Sequence, residues 1–335
     1  MAEKVTISTV AQHAQVSRQT VSNVLNSPDV VREDTRRRVL DAIEALGYRT
    51  NRAARQMRTG RSQLIAVRIE PTRDGINGSV LDRFLHGLTD AAATAGYRVM
   101  LYTAAGPADE IATYDDLLSS YELDAFVLTG TDHGDVRTEW LAARGVQFVT
   151  FGRPWDNPER HLWVDVDGAS GTAHATDHLI AAGHRRIGFI GWPAGSGVGD
   201  DRRAGWARAM RDAGLEPAAA LDRQTPDGIA QGESVAGDLL RGDAPPTALV
   251  CASDSLALGA LQAVRAAGAT VAVTGFDDTP VARAVGLTSV SQPLAEAAAG
   301  CMDLLASALD GDHAALGHRI GPMLLQPTLV VRQSA

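Results

Sequence analysis

One pattern recurs through most of this chain: an amphipathic helical stretch, a small residue plus glycine, then a β-rich run. Ala95-Gly96 precedes Tyr97 to Tyr102, and Arg144-Gly145 precedes Val146 to Val149. Ala182-Gly183 precedes His184 to Ile190, and Ala267-Gly268 precedes Ala269 to Val273. The glycine closes each helix. The runs are apolar enough to be covered on both faces, and their alternation with helices predicts parallel, doubly wound sheets. From Leu64 onward there are too many such units for one sheet of usual size. Two sheets are expected, divided near residue 161 and re-crossed near 291.

The first sixty residues read differently. Within Ser17-Arg18-Gln19-Thr20-Val21-Ser22-Asn23-Val24-Leu25-Asn26, the apolar Val21, Val24 and Leu25 fall at i, i+3 and i+4. Arg18 with Ser22, and Gln19 with Asn23, are i, i+4 pairs on the other side. Ser17 suits an N-cap. A face with a guanidinium, two amides and hydroxyls but no carboxylate is suited to base edges and phosphates in a major groove; alone, it could equally be a solvated helix surface. Upstream, Thr6 can cap a shorter helix whose packing face is Val10, Ala11 and Ala14, and Gln15-Val16 is a tight link. This is the helix-turn-helix pattern. A third helix over about Glu33 to Leu46 buries Val39, Ala42, Ile43 and Leu46, with Gly47 as its stop.

Val5-Thr6-Ile7, Val16 to Asn26, Thr35-Arg36-Arg37-Arg38-Val39, Leu46-Gly47-Tyr48 and Asn51-Arg52-Ala53-Ala54-Arg55 resemble the headpiece and hinge of a LacI/GalR-family repressor. The resemblance continues over nearly the whole chain. It implies a headpiece at 1–50 and a hinge at 51–61. It further implies a two-lobed periplasmic-binding-protein-like core, with lobes at 62–161 plus 292–321 and at 162–291 plus 322–335. It implies that Arg18, Gln19 and Asn23 face base edges, while Ser17, Thr20, Ser22 and Asn26 mostly touch phosphates. Thr6, Asn51, Arg52 and Ala54 complete the implied DNA contacts. The hinge is implied to form a helix on a pseudopalindromic operator, pair across a dimer axis and enter the minor groove. Met57 stands where a wedging Leu is usual; the alternative is a flexible basic linker. Four other positions depart from the pattern. Gln15 replaces a glycine, at a cost of about 1 kcal/mol in a left-handed turn, so a locally different turn is expected. Thr9 and Arg32 stand where a carboxylate and a capping Ser are common, which weakens two helix starts. Asn23 replaces a common Arg.

Charge agrees with this division. Residues 1–61 hold 11 Lys and Arg against 6 Asp and Glu; the remainder holds 20 against 34. A basic head on an acidic body suits a protein in which only the head meets phosphate. Neither a membrane span nor an export signal is apparent, so a cytoplasmic protein is expected. Cys251 and Cys301 lie in apolar segments and read as buried thiols without metal or disulfide spacing.

Enzyme chemistry finds little support. Gly195-Ser196-Gly197-Val198-Gly199 follows a predicted strand, yet Asp200 occupies the last position of the dinucleotide fingerprint and Asp201 adds a second carboxylate. A flexible binding-cleft loop is the expected reading. His174 and His178 are i, i+4 but lack a third ligand, and neither G-x-S-x-G nor S-x-x-K occurs. No cofactor is expected.

Three segments resemble the family's effector site: Asp200 to Trp206, with Arg202 reaching hydroxyls; Ser253-Asp254-Ser255, supplying polar ligands at a helix start; and Gly275-Phe276-Asp277-Asp278, with Asp277 accepting from two adjacent hydroxyls. Each follows a predicted strand, where open α/β sheets bind ligands. An Arg202–Asp277 salt bridge with no ligand role is the alternative. Trp155 and Trp192 stand in strand-end loops, beside Arg153-Pro154 and Pro193, and their indoles can stack on pyranose rings. Thr129, Arg153 and Gln292 complete the expected effector set. Trp140 and Trp206 read as packing residues. Two loop tryptophans and acidic loops suggest a neutral sugar, a disaccharide or longer. Trp192-Pro193, the glycine-rich loop and Asp200-Asp201 look similar to cello-oligosaccharide or β-glucoside regulators, so cellobiose or a longer β-glucoside is a candidate. The segment Gln326 to Val331 is not followed by leucine heptads, so a homodimer rather than a coiled-coil tetramer is expected. A purine-type corepressor, a sugar-binding receptor and a Rossmann-type enzyme remain the alternatives.

Overall fold

In a computed structural model the described residues are 5–48, 60–69, 78–310 and 321–335. The chain divides into two units, Met1–Ser62 and Gln63–Ala335. Asn51, Arg52, Ala54 and Met57, expected at the hinge, lie outside the described residues.

The first unit contains α1 (Ile7–His13), α2 (Arg18–Asn26), a 3-10 turn over Pro28–Val30 and α3 (Glu33–Leu46). Val10, Ala11, Ala14, Val21, Val24, Val39 and Ala42 form its buried core. The link between α1 and α2 keeps the left-handed turn despite its side chain: Gln15 has φ +53°. The expectation of a different turn is therefore corrected. Bending there lets the Val16 N–H donate to Ala11 O at 3.0 Å while Val16 packs on the core. Thr9 also does more than expected. Its hydroxyl accepts from the Thr6 N–H at 3.3 Å while Thr6 caps Thr9, which closes a reciprocal box. Arg32 gives α3 no side-chain cap, and Glu33 and Asp34 place negative charge on its first turn instead.

The second unit carries two six-stranded sheets. The first contains β1 (Leu64–Arg68), β2 (Arg98–Tyr102), β3 (Ala125–Thr129), β4 (Gln147–Phe151), β5 (Trp163–Val166) and β11 (Met323–Leu325), in the order β11-β5-β4-β3-β1-β2. The second contains β6 (Ile187–Gly191), β7 (Asp222–Gln224), β8 (Ala248–Cys251), β9 (Ala272–Phe276), β10 (Thr288–Ser291) and β12 (Thr328–Val330), in the order β12-β10-β9-β8-β6-β7. Central strands are buried throughout, as at β3, β6 and β8, because helices cover both faces. On one face of the first sheet, α4 (Gly78–Thr94) and α12 (Leu294–Asp310) supply Phe84, Leu88, Ala298 and Cys301. On the other, α5 (Pro107–Tyr121) and α6 (Val136–Ala143) supply Tyr114, Leu117 and Leu141. The second sheet is flanked by α7 (Gly168–Ala181), α8 (Gly197–Asp212), α9 (Ile229–Arg241), α10 (Asp254–Ala266) and the short α11 (Pro280–Ala284). The repeated glycines stop their helices at φ +83° (Gly96), +66° (Gly145), +97° (Gly183) and +60° (Gly268).

The chain passes between the sheets after Val166, after Ser291 and after Leu325. The dividing points expected at 161 and 321 are therefore too early: Trp163–Val166 and Met323–Leu325 both belong to the first sheet. Strands this short carry little periodicity. One strand also breaks the parallel rule, since β12 runs antiparallel to β10. Only Gln326-Pro327 joins β11 to β12. With no helix to carry the chain back, it enters the second sheet from the end where it left the first.

Candidate DNA-binding face and ligand cavity

Capping and turn residues set the first site. The Ser17 hydroxyl accepts from the Thr20 N–H at 3.0 Å and lies 2.9 Å from the Thr20 hydroxyl, which fixes where α2 begins. Val21 and Val24 face the core, so Arg18 and Gln19 project outward and are exposed, as are Ser17 and Thr6. Ser22, Asn23 and Thr20 are half-buried. Gln19 Nε2 donates to Asn23 Oδ1 at 2.9 Å. The two amides are thus held together, one turn apart, on the face that also carries Arg18. Such a surface offers forked donors and acceptors to base edges, with hydroxyls beside them for phosphate. Asn26 is the last residue of α2.

The second site is a cavity of about 530 Å³ at the C-terminal strand ends of the second unit. Both lobes wall it. Thr129, Thr131, Asp132, Phe151, Trp155 and Asp165 come from the first sheet's side; Trp192, Ser196, Asp201, Arg202, Asp227, Phe276 and Asp277 come from the second. Gln292 stands at a crossing, and Val80 and Leu81 on α4 add an apolar patch.

Arg202 is the central cation. Its guanidinium is buried, lies 3.6 Å over the Phe276 ring and 5.2 Å from that of Trp192, and donates to Ala252 O at 2.5 Å. Its Nη2 lies 3.6 Å from Asp277 Oδ1, and its Nε has no hydrogen-bond partner. Burial holds Arg202 below its usual range, partly offset by Asp277. Asp277 is also buried, sits at φ +113° and accepts from Gln292 Nε2 at 2.7 Å. Burial pushes its carboxyl above the ordinary range against the pull of Arg202, with Asp254 adding to the rise. A salt bridge this loose leaves both partners poorly compensated, which is the state of a site that awaits polar contacts. Thr129 Oγ1 and Trp192 Nε1 are likewise buried without a partner.

Six of the nine expected effector residues line the cavity: Thr129, Trp155, Trp192, Arg202, Asp277 and Gln292. Arg153, Ser253 and Asp254 are not among its lining residues, and each is engaged with side chains or turns next to it. Arg153 Nε donates to Asp165 at 2.5 Å, its Nη2 reaches Asp201 at 3.5 Å, and its guanidinium lies 4.8 Å from the Trp155 ring, so it braces two lining carboxylates. Ser253 caps α10 and donates to Asp227 Oδ1 at 2.5 Å. Asp254 is fully buried and accepts from the Thr279 N–H and the Ser289 hydroxyl, which fixes the turn carrying Asp277. The glycine-rich segment is not a loop: Ser196 caps α8, which starts at Gly197. Gly197 has no room for a side chain, since a Cβ would come within 2.4 Å of the Trp155 ring. Its N–H donates to Asp132 Oδ1 at 3.2 Å, a contact across the lobes.

Sequence reasoning missed Asp132, Asp165, Asp227 and Phe276 as wall residues. It also missed the buried Glu110, which accepts from Tyr102 (2.9 Å), Tyr114 (2.7 Å), Arg137 (3.0 Å) and pairs with Arg68 (2.9 Å). Arg137 then donates to Thr129 O and Gly130 O, at 3.2 and 3.0 Å, and so pins part of the cavity wall. Trp140 and Trp206 pack as expected, Trp206 stacking on Phe189. Among the described residues no group of three metal-ligating side chains gathers, and no helix is long and apolar enough to cross a membrane.

Residues 6–51 match the family described as bacterial regulatory proteins, lacI family, and residues 176–335 match a periplasmic binding protein-like domain. The chain is 35% identical to the HTH-type transcriptional regulator AglR of Rhizobium meliloti (strain 1021), over 80% of this chain and 75% of that protein. It is 33% identical to the HTH-type transcriptional regulator CelR of Thermobifida fusca, over 86% of this chain and 87% of that protein. Among solved structures, a transcriptional regulator CelR–cellobiose complex matches with a TM-score of 0.74 and 29% identity, over 99% of this chain and 100% of that one. The lac repressor dimer bound to operator and the anti-inducer ONPF matches with a TM-score of 0.81 and 26% identity, over 99% of both chains. A capped recognition helix on a helix-turn-helix unit, a two-sheet core with its cavity at the strand ends, and relatives matched along most of their length agree: the chain belongs to the LacI family of transcriptional regulators.

Proposed function

We propose that this chain is a homodimeric, cytoplasmic repressor whose grip on a pseudopalindromic operator is set by a small saccharide held between the core lobes. Arg18, Gln19 and Asn23 read bases in the major groove, and Thr6, Ser17, Thr20, Ser22 and Asn26 hold phosphates. Asn51, Arg52, Ala54 and Met57 act in the minor groove. Thr129, Trp155, Trp192, Arg202, Asp277 and Gln292 contact the sugar. The protein is not an enzyme and uses no cofactor.

The observation that carries the sugar reading is the make-up of the cavity. An indole from each lobe, Trp155 and Trp192, stands beside a buried guanidinium and carboxylate that satisfy each other only partly. Indole faces suit the apolar side of a pyranose ring, and the Arg202–Asp277 pair suits its vicinal hydroxyls. The likeness to a cellobiose-bound relative supports cellobiose or a longer β-glucoside as the effector. Sugar bound to both lobes favours one lobe angle, and operator affinity changes by the difference in sugar affinity between two states.

The test is a gel-shift titration with duplexes from the parent genome. Affinity should fall linearly with salt on logarithmic axes, with a slope set by the phosphates neutralised. One sugar of a panel that includes cellobiose should shift the operator affinity by roughly 5- to 150-fold. Absence of binding to any duplex would remove the repressor reading; binding that no sugar alters would remove the effector reading.

A further inference from the structure

The charges around the cavity do not balance. Five carboxylates line it: Asp132, Asp165, Asp201, Asp227 and Asp277. Among the described residues, Arg202 is the only Lys or Arg that lines it, and it already faces Asp277 and Ala252 O. Arg153 pairs with Asp165 and Asp201, and Arg83 reaches Asp277 O at 3.4 Å from α4. Among the described residues, three guanidiniums face five carboxylates, a negative surplus when the carboxylates are ionised.

The hydrogen-bonding inventory points the same way. An ionised carboxylate only accepts, so most of the polar wall asks for donors. The unpartnered buried atoms of lining residues are mostly donors: Arg202 Nε and Trp192 Nε1 can only donate, and Thr129 Oγ1 can do either. A hydroxyl meets both demands, since it donates to a carboxylate and accepts from an N–H. A phosphate monoester meets neither well. It carries nearly two negative charges at neutral pH and offers only acceptors. Set against this wall it would pair acceptor with acceptor and charge with like charge, and each such juxtaposition is heavily disfavoured at low dielectric.

We infer that the cavity selects the unesterified sugar and rejects its phosphate ester, an inference that rests on the saccharide reading above. The reaction supplying the effector must then leave its hydroxyls free: hydrolysis of a glycosidic bond, or entry into the cell without phosphoryl transfer.

The experiment is calorimetry on the full chain with cellobiose, maltose, lactose and trehalose, each beside its 6-phosphate. The expected result is that at least one free disaccharide binds and its 6-phosphate binds at least a hundredfold more weakly. Asp132→Asn and Asp227→Asn together should narrow that gap at least tenfold, because they remove charge while keeping hydrogen-bonding groups. A 6-phosphate that binds as well as its parent sugar overturns the inference and leaves the saccharide reading intact. A gap the double variant does not narrow overturns its charge basis. Failure of all eight sugars overturns the saccharide reading and this inference with it.

Discussion

At the scale of single residues, the weight falls on the Arg202–Asp277 pair. Because burial raises the Asp277 carboxyl, the folded protein holds that proton more tightly than the unfolded chain does. The contribution to stability is full below the ordinary value of 3.8 and is lost as pH rises through the raised one. Removing the guanidinium takes away the lowering influence and raises Asp277 further. Arg202→Ala should therefore cost little at pH 5 and about 3 kcal/mol at pH 8, read from chemical denaturation at the two pH values; an equal cost at both would refute the coupling. Gly197→Ala is a subtler probe. It should push Trp155 aside and weaken sugar binding about tenfold, roughly 1.4 kcal/mol, without loss of operator binding in a gel shift. The cavity was partly legible in the sequence because Arg202, Asp277, Trp155 and Trp192 stand in chemically distinctive strand-end segments. Asp227 was not, since it follows a three-residue polar strand that leaves no periodic trace. Arg153, Ser253 and Asp254 had the right chemistry and the right neighbourhood, but only coordinates reveal whether a polar group faces a cavity or another side chain.

Among elements, the α1–α2 turn and the Glu110 cluster make separable predictions. Gln15 holds a backbone conformation that glycine adopts at no steric cost. Gln15→Gly should stabilise the first unit by about 0.5–1 kcal/mol, measured as slower amide exchange in α1 and α2 of the full chain. Glu110 gathers two phenols and two guanidiniums with no solvent exposure. Glu110→Ala strands those charges and should cost about 3–5 kcal/mol; a loss under 1 kcal/mol in urea unfolding would show the cluster to be incidental. The helices and sheets were readable because glycine stops and doubly covered strands repeat a strong signal. The failures occurred where that signal is weak. Strands β5 and β11 have four and three residues, and the reversed β12 depends on a two-residue connection whose direction no local pattern encodes.

For the molecule as a whole, each lobe carries its own built-in reporter. Cys251 lies in β8 of the second sheet and Cys301 in α12 against the first, both fully buried. Burial raises both thiols well above their usual range, so neither should react with a disulfide reagent until its lobe opens. Since both lobes wall the cavity, a sugar that binds should slow the two labelling rates together; slowing of one alone would mean that only one lobe holds the ligand. The late return of the chain to the first sheet also bears on synthesis. While the nascent chain is still emerging from the ribosome, the edge of β5 awaits β11, and Phe84 and Leu88 await the α12 residues that cover them. The half translated first is therefore completed only just before the half translated after it, whose β12 follows directly, with an unpaired edge and a bare apolar face to shield until residue 325 is out.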